Sequence, residues 1–256
     1  MFEYPAFDNN NVSLLCEMNG KNADMNMTIY VKKLLKGECF SLCEANNETA
    51  VLLLSGNVVF NCNNLRAEGK RENPFEKKPY CLHVSKETHF TIEALEDSEF
   101  IVQQTDNDKL FEPHFFNPEN CLYQEFGKGQ WGGAGHRIVS TMFDYDNAPY
   151  SNLVLGEVFT QPGKWSSYPP HHHPQPEVYY YKFDKPQGFG ACYIGENVYK
   201  SKDGSFCCIT SGKDHQQAAA PGYEMYYVWM IRHIDGDPWY KTTRFVSDEH
   251  EWLTHC

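Results

Sequence analysis

Short runs of β-branched, aromatic and aliphatic residues recur along the whole chain, and almost every one is closed by Gly, Pro, Asn or Asp. Ala50-Val51-Leu52-Leu53-Leu54, Phe100-Ile101-Val102, Leu153-Val154-Leu155, Glu177 to Phe183, Gly190 to Ile194 and Tyr223 to Ile231 are examples. The separators Ser55-Gly56-Asn57, Asp184-Lys185-Pro186-Gln187-Gly188, Lys202-Asp203-Gly204-Ser205 and Ala220-Pro221-Gly222 are turn sequences. No long stretch carries a 3.6-residue apolar period. Strands at this spacing, with 15% aromatic residues to fill a core, predict an all-β sandwich or barrel.

The 256 residues suffice for one large domain or two modest ones. Gly37-Glu38-Cys39-Phe40-Ser41 echoes Gly156-Glu157-Val158-Phe159-Thr160, and Lys86-Glu87-Thr88-His89 echoes Lys213-Asp214-His215. The echoes suggest two similar β-modules in tandem. The division expected is an Asn-rich, loosely packed arm over 1–25, one module over 26–128 and a second over 129–256.

Charge narrows the partners. There are 22 Lys and Arg against 34 Asp and Glu, a net charge of −12. No basic stripe follows a phosphate backbone, so nucleic acid is not expected as a partner. No apolar run reaches the length of a membrane span, and no signal peptide is visible, which reads as a cytoplasmic chain. The ten cysteines are scattered and read as reduced thiols.

The chemistry concentrates in Gly163-Lys164-Trp165-Ser166-Ser167-Tyr168-Pro169-Pro170-His171-His172-His173-Pro174-Gln175-Pro176-Glu177. His171 and His173, two apart, project to one side of an extended chain. The prolines disfavour a helix. Glu177 opens a strand and His215 heads another. Three imidazoles and a carboxylate suit Zn, Mn, Fe or Co with open positions, whereas a closed structural zinc site more often uses thiolates.

The same segments carry a resemblance. Gly163, His171-x-His173-x3-Glu177, Gly188 and Gly212 with His215 resemble the two metal motifs of the cupin superfamily. Trp165-Ser166-Ser167-Tyr168-Pro169-Pro170-His171, Glu177 to Tyr181, Gly188-Phe189-Gly190 and Ala220 to Tyr227 are similar to signature segments of the 5-deoxy-glucuronate isomerase family of myo-inositol breakdown. Leu34 to Glu38, Leu52 to Gly56 and His136 to Val139 extend the likeness more weakly into the first half. The resemblance implies a bicupin, two tandem double-stranded β-helix (jelly-roll) barrels, with one divalent metal ion per chain in the second barrel. It implies His171, His173, Glu177 and His215 as ligands, and a homodimer by analogy with other cupins. Gln216 and Trp229 depart from the family pattern, where Pro and Asn are expected.

The implied reaction is an aldose–ketose isomerisation of 5-deoxy-D-glucuronate, a small sugar acid, to 5-dehydro-2-deoxy-D-gluconate through a cis-enediolate. It needs a Lewis acid, a base and a carboxylate holder. If the strand from Leu153 faces its odd positions inward, Glu157 is the candidate base and Gln161 a substrate contact. Tyr181, Tyr227 and Gln217 are candidate donors, and Arg137 and Lys164 the candidate cations. The competing readings are a ketol-isomerase of a pectin-derived 4-deoxy-5-ketouronate and a non-catalytic sugar-binding cupin. The Trp-Ser-Ser-Tyr string argues against the first. An intact His3Glu set argues against the second.

Overall fold

A computed structural model describes residues 1–242 and 244–255. The chain divides into two compact units, neither a single continuous stretch. One comprises Pro5–Cys121 with Asn147–Leu153, the other Met1–Tyr4, Leu122–Asp146 and Val154–Cys256.

In the first unit the hydrogen-bonded order is His114–Phe116, Cys81–Val84, Asn47–Cys62, Ser98–Asp106, Thr28–Leu34 and Val12–Cys16. Beyond Gly56 the long strand Asn47–Cys62 leaves that order and pairs with Leu65–Arg71 and Phe90–Ala94; Phe90–Ala94 also carries Cys39–Leu42. Gly56 holds φ +107, and a Cβ there would strike Ser98, so glycine is needed where the strand changes partners.

The second unit repeats this connectivity. Its larger sheet runs Phe2–Glu3, Phe206–Ile209, Glu177–Phe183, Met225–Arg232, Leu153–Thr160, Arg137–Phe143 and Leu122–Phe126. Its smaller sheet runs Asn197–Lys202, Phe189–Ile194, His215–Ala219, Trp165–His172 and Phe245–Val246. The core fills from both: Tyr179, Tyr181, Tyr227, Trp229, Val154 and Val158 from the larger sheet, Cys192, Ile194 and Ala219 from the smaller. Each fully buried large side chain stabilises by about 1.5–3 kcal/mol.

The shared connectivity corrects the register of the sequence echo. Gly37 lies in the turn before Cys39–Leu42, at φ +85, and its topological counterpart is Gly163, at φ +72, before Trp165–His172. Gly156 instead lies inside a strand. The expected loose arm is also corrected. Val12–Cys16 pairs with Thr28–Leu34, and Leu15, Cys16 and Met25 are fully buried. Phe2–Glu3 belongs to the second unit and pairs with Phe206–Ile209 of its larger sheet. The Asn-rich stretches around these residues are turns that flank strands.

Glu48, near the start of Asn47–Cys62, is a fully buried carboxylate in the first unit. It accepts from Asn107 Nδ2 at 3.1 Å, Ser151 Oγ at 2.8 Å and the Asn152 amide at 2.6 Å, and lies 2.9 Å from His83 Nε2. Four donors around one carboxylate neutralise the cost of burying it. His89 is exposed and bonds Ser41. None of the nine described cysteines is in a disulfide. No helix among the described residues is long and apolar enough to cross a membrane.

Candidate metal centre

Two strands of the smaller sheet and one of the larger bring the expected ligands together. Trp165–His172 pairs with His215–Ala219, Ser166 opposite Gln217 and His171 opposite His215. Between those pairs lie four residues on one strand and one on the other, so three residues are surplus to the ladder. The prolines at 169 and 170 cannot donate to a ladder, and Ser167 takes φ +52. Two residues beyond His171, His173 returns to the same side. His172 between them points away, its Nδ1 2.9 Å from Asp214 Oδ1 and its ring stacked on Phe245.

His173, Glu177 and His215 place their ligand atoms within 4.8 Å of one another, the one such group of three found among the described residues. Both Nε2 atoms approach the same carboxylate oxygen, Glu177 Oε2, at 3.2 Å for His173 and 3.1 Å for His215. The His171 ring lies 4.7 Å from the His215 ring and lines the same cleft. All four residues are buried.

Backbone carbonyls orient the imidazoles. His171 Nδ1 donates to Pro169 O at 2.8 Å, His173 Nδ1 to Gln175 O at 3.0 Å and His215 Nδ1 to Lys213 O at 3.1 Å. Each ring therefore turns Nε2 inward, the arrangement by which outer partners set the tautomer of metal-binding histidines. Neutral imidazoles so held offer only lone pairs to a carboxylate that offers only lone pairs. His215 Nε2 makes no hydrogen bond. Such a group is stable only with positive charge among its members, and the residues fit a metal cation.

Burial, followed by the charges of His215 and Arg244, holds His171 well below the ordinary imidazole value. Burial would raise the Glu177 carboxyl, but the adjoining His173 and His215 outweigh it and leave it below the usual carboxylate range. Tyr179 donates to Glu177 Oε2 at 3.1 Å and lies 2.9 Å from Ser167 Oγ. Tyr227 donates to Ser166 at 3.0 Å. Burial raises both phenols above their ordinary range, so both are neutral donors.

His171, His173 and Glu177 line one cleft. Arg137, Val139 and Val158 form one wall, with Tyr227, Trp229, Trp239 and Arg244 around the rest. Among the described lining residues Glu177 is the sole carboxylate.

Several expected contacts are absent from this wall. The Leu153 strand turns its even positions inward: Val158 lines the cleft while Glu157 faces the other way and accepts a 2.6 Å bond from Tyr226. Both faces of that strand are buried, so alternation of polarity could not reveal its orientation. Gln161 and Lys164 belong to the turn before Trp165, joined by a 3.0 Å backbone bond, and neither lines the cleft. Tyr181 and Gln217 face inward but bond each other at 2.8 Å below it. Arg137, Tyr227, His171, His173 and Glu177 line the cleft, and His215 meets His173 at Glu177. Sequence reasoning missed Arg244 and Trp239; Tyr179, two residues from Glu177 on one strand, lies on the Glu177 face as strand parity predicts.

The model of the KduI/IolB family matches residues 2–253. The chain belongs to that family. A 5-deoxy-glucuronate isomerase of Geobacillus thermodenitrificans (strain NG80-2) is 28% identical over 246 residues, covering 87% of this chain and 84% of the relative. A crystal structure of an IolB-like protein from Salmonella typhimurium LT2 superposes with a TM-score of 0.87 at 20% identity, covering 99% of this chain and 98% of the other. A cupin 2 conserved barrel domain protein from Leptotrichia buccalis gives a TM-score of 0.53 at 16% identity, over 86% and 88% of the two chains. The expected cupin architecture is thereby met, and KduI/IolB membership carries the expected enzyme class, an isomerase.

Proposed function

We propose that this chain is a metal-dependent aldose–ketose isomerase that converts 5-deoxy-D-glucuronate to 5-dehydro-2-deoxy-D-gluconate. The observation that carries the reading is the convergence of two buried imidazole Nε2 atoms, of His173 and His215, on the Glu177 carboxylate, with the His171 ring beside them at an open cleft. Relatives named 5-deoxy-glucuronate isomerase support the substrate. His171, His173, Glu177 and His215 would hold one divalent ion such as Zn, Mn or Fe. When bound, that ion supplies the Lewis acidity needed at the C1 and C2 oxygens.

The chain's own residues do the rest. The carbonyls of Pro169, Gln175 and Lys213 keep the imidazoles aimed. Tyr179 and Tyr227, neutral at working pH, present donors to the oxygens that gain charge. Val158, Trp229 and Trp239 give the site apolar walls that strengthen those interactions. The test is turnover of 5-deoxy-D-glucuronate by purified protein, before chelation, after it and after metal is restored. Activity that vanishes and returns supports the reading. Full activity in a metal-free His173→Ala variant, or turnover of 4-deoxy-5-ketouronate alone, overturns it.

A further inference from the structure

We infer that Arg244 and Arg137 form a two-guanidinium wall that takes the carboxylate of a sugar acid, with Arg244 as the residue that selects an anionic substrate over a neutral one.

Arg137 is the fixed half. It opens Arg137–Phe143, is 6% exposed and lines the cleft. Nη1 donates to Gly135 O at 2.9 Å and Nη2 to Tyr168 O at 3.1 Å. These partners are carbonyls, which orient a guanidinium without neutralising it. Three of its five N–H donors remain for a ligand. Burial brings its pKa down to about 10, with the charge of Arg244 adding to the effect, so it stays protonated at neutral pH.

Arg244 is the outer half. It is exposed, lies over the Trp239 ring at 5.7 Å and lines the same cleft. It also lines an adjoining recess with Thr141, Trp229 and Lys241. Lys241 is engaged by Asp144 at 2.6 Å, so it is committed elsewhere. Neither arginine forms an ion pair among the described residues, and Glu177 belongs to the imidazole cluster. Two like charges near each other in one cleft repel unless an anion comes between them. A chain of net charge −12 has concentrated uncompensated positive charge here. Arginine matches a carboxylate in two-point geometry, and a guanidinium held over an indole face is partly ordered before the ligand arrives.

The inference rests on the proposed function only for which end of the substrate lies here; the preference for an anion does not. The experiment titrates metal-loaded protein with D-glucuronate and with D-glucose, read by fluorescence of the cleft tryptophans and by calorimetry. The wild type is expected to prefer glucuronate strongly. Arg244→Gln should weaken glucuronate binding by about tenfold to a hundredfold, the worth of a charge-assisted bond, while glucose binding and metal content stay as they were. Arg244→Lys should recover part of the loss. In turnover of 5-deoxy-D-glucuronate, KM should rise by a larger factor than kcat falls. Equal affinity of the wild type for both sugars overturns the inference. So does an Arg244→Gln variant that keeps its preference or weakens both sugars alike. If the wild type turns over no uronate yet loses its preference on Arg244→Gln, the isomerase reading fails and the anion wall stands.

Discussion

Glu177→Gln changes one oxygen for an NH2 group and removes one negative charge at the point where His173 and His215 meet. Both Nε2 atoms lie 3.1–3.2 Å from the same Oε2. An amide nitrogen in that place carries two hydrogens, one for each imidazole. Tyr179, which donates to Oε2, has Ser167 as its second partner and can turn to it. The substitution thus meets the need for positive charge without an ion and takes away the anionic ligand. In the wild type, metal at a hundred times its dissociation constant stabilises by about 2.7 kcal/mol. At about 2–4 °C per kcal/mol for a domain of this size, Tm should rise by roughly 5–11 °C. Glu177→Gln should show none of that rise, and in chelator its Tm should equal or exceed that of the wild type. The assay is thermal unfolding across a metal titration, with metal content measured after gel filtration. A variant that keeps one ion per chain, or that melts well below chelated wild type, refutes the reasoning.

Other perturbations test separate parts. Acid should weaken the centre: His171 has a folded pKa below its ordinary 6.5 and Glu177 one below its ordinary 4.5. For both, the stability they contribute is present above the ordinary value and lost as pH falls through the folded one. Chelated protein should therefore lose Tm below about pH 6, and a flat profile down to pH 4 would contradict it. Glu48→Ala deprives His83, Asn107, Ser151 and the Asn152 amide of a shared acceptor, and should cost about 3–5 kcal/mol in denaturant unfolding with metal content unchanged. Gly156→Ala would overlap the Trp229 indole. It should cost about 1–3 kcal/mol and alter tryptophan emission, whereas a neutral result would mean the ring has room to move.

The strands and the His/Glu cluster were legible because their signals are local. Period-two spacing puts His171 and His173 on one side, and Gly, Pro and Asn close each strand. Orientation was not local. Leu153–Thr160 is buried on both faces, so nothing in its composition distinguishes Glu157, bonded to Tyr226, from Val158 on the cleft. Arg244 stands in a polar stretch with no period, and only the path of the chain past Trp239 brings it to the cleft. In the first 25 residues, abundant Asn concealed the short run Leu14-Leu15-Cys16 that makes a strand.

The loop of three surplus residues after Ser166 has a meaning beyond local irregularity. A regular ladder continued from the Ser166–Gln217 pair would place Tyr168 opposite His215; the three surplus residues bring His171 to that position instead. The excursion therefore serves both the imidazoles and what surrounds them: a carbonyl from Pro169 for His171, a carbonyl from Tyr168 for Arg137 and a hydroxyl from Ser167 for Tyr179. One short excursion thus ties the cleft wall to the imidazole cluster, so that a change in its length would move His171 together with the groups that face an incoming molecule.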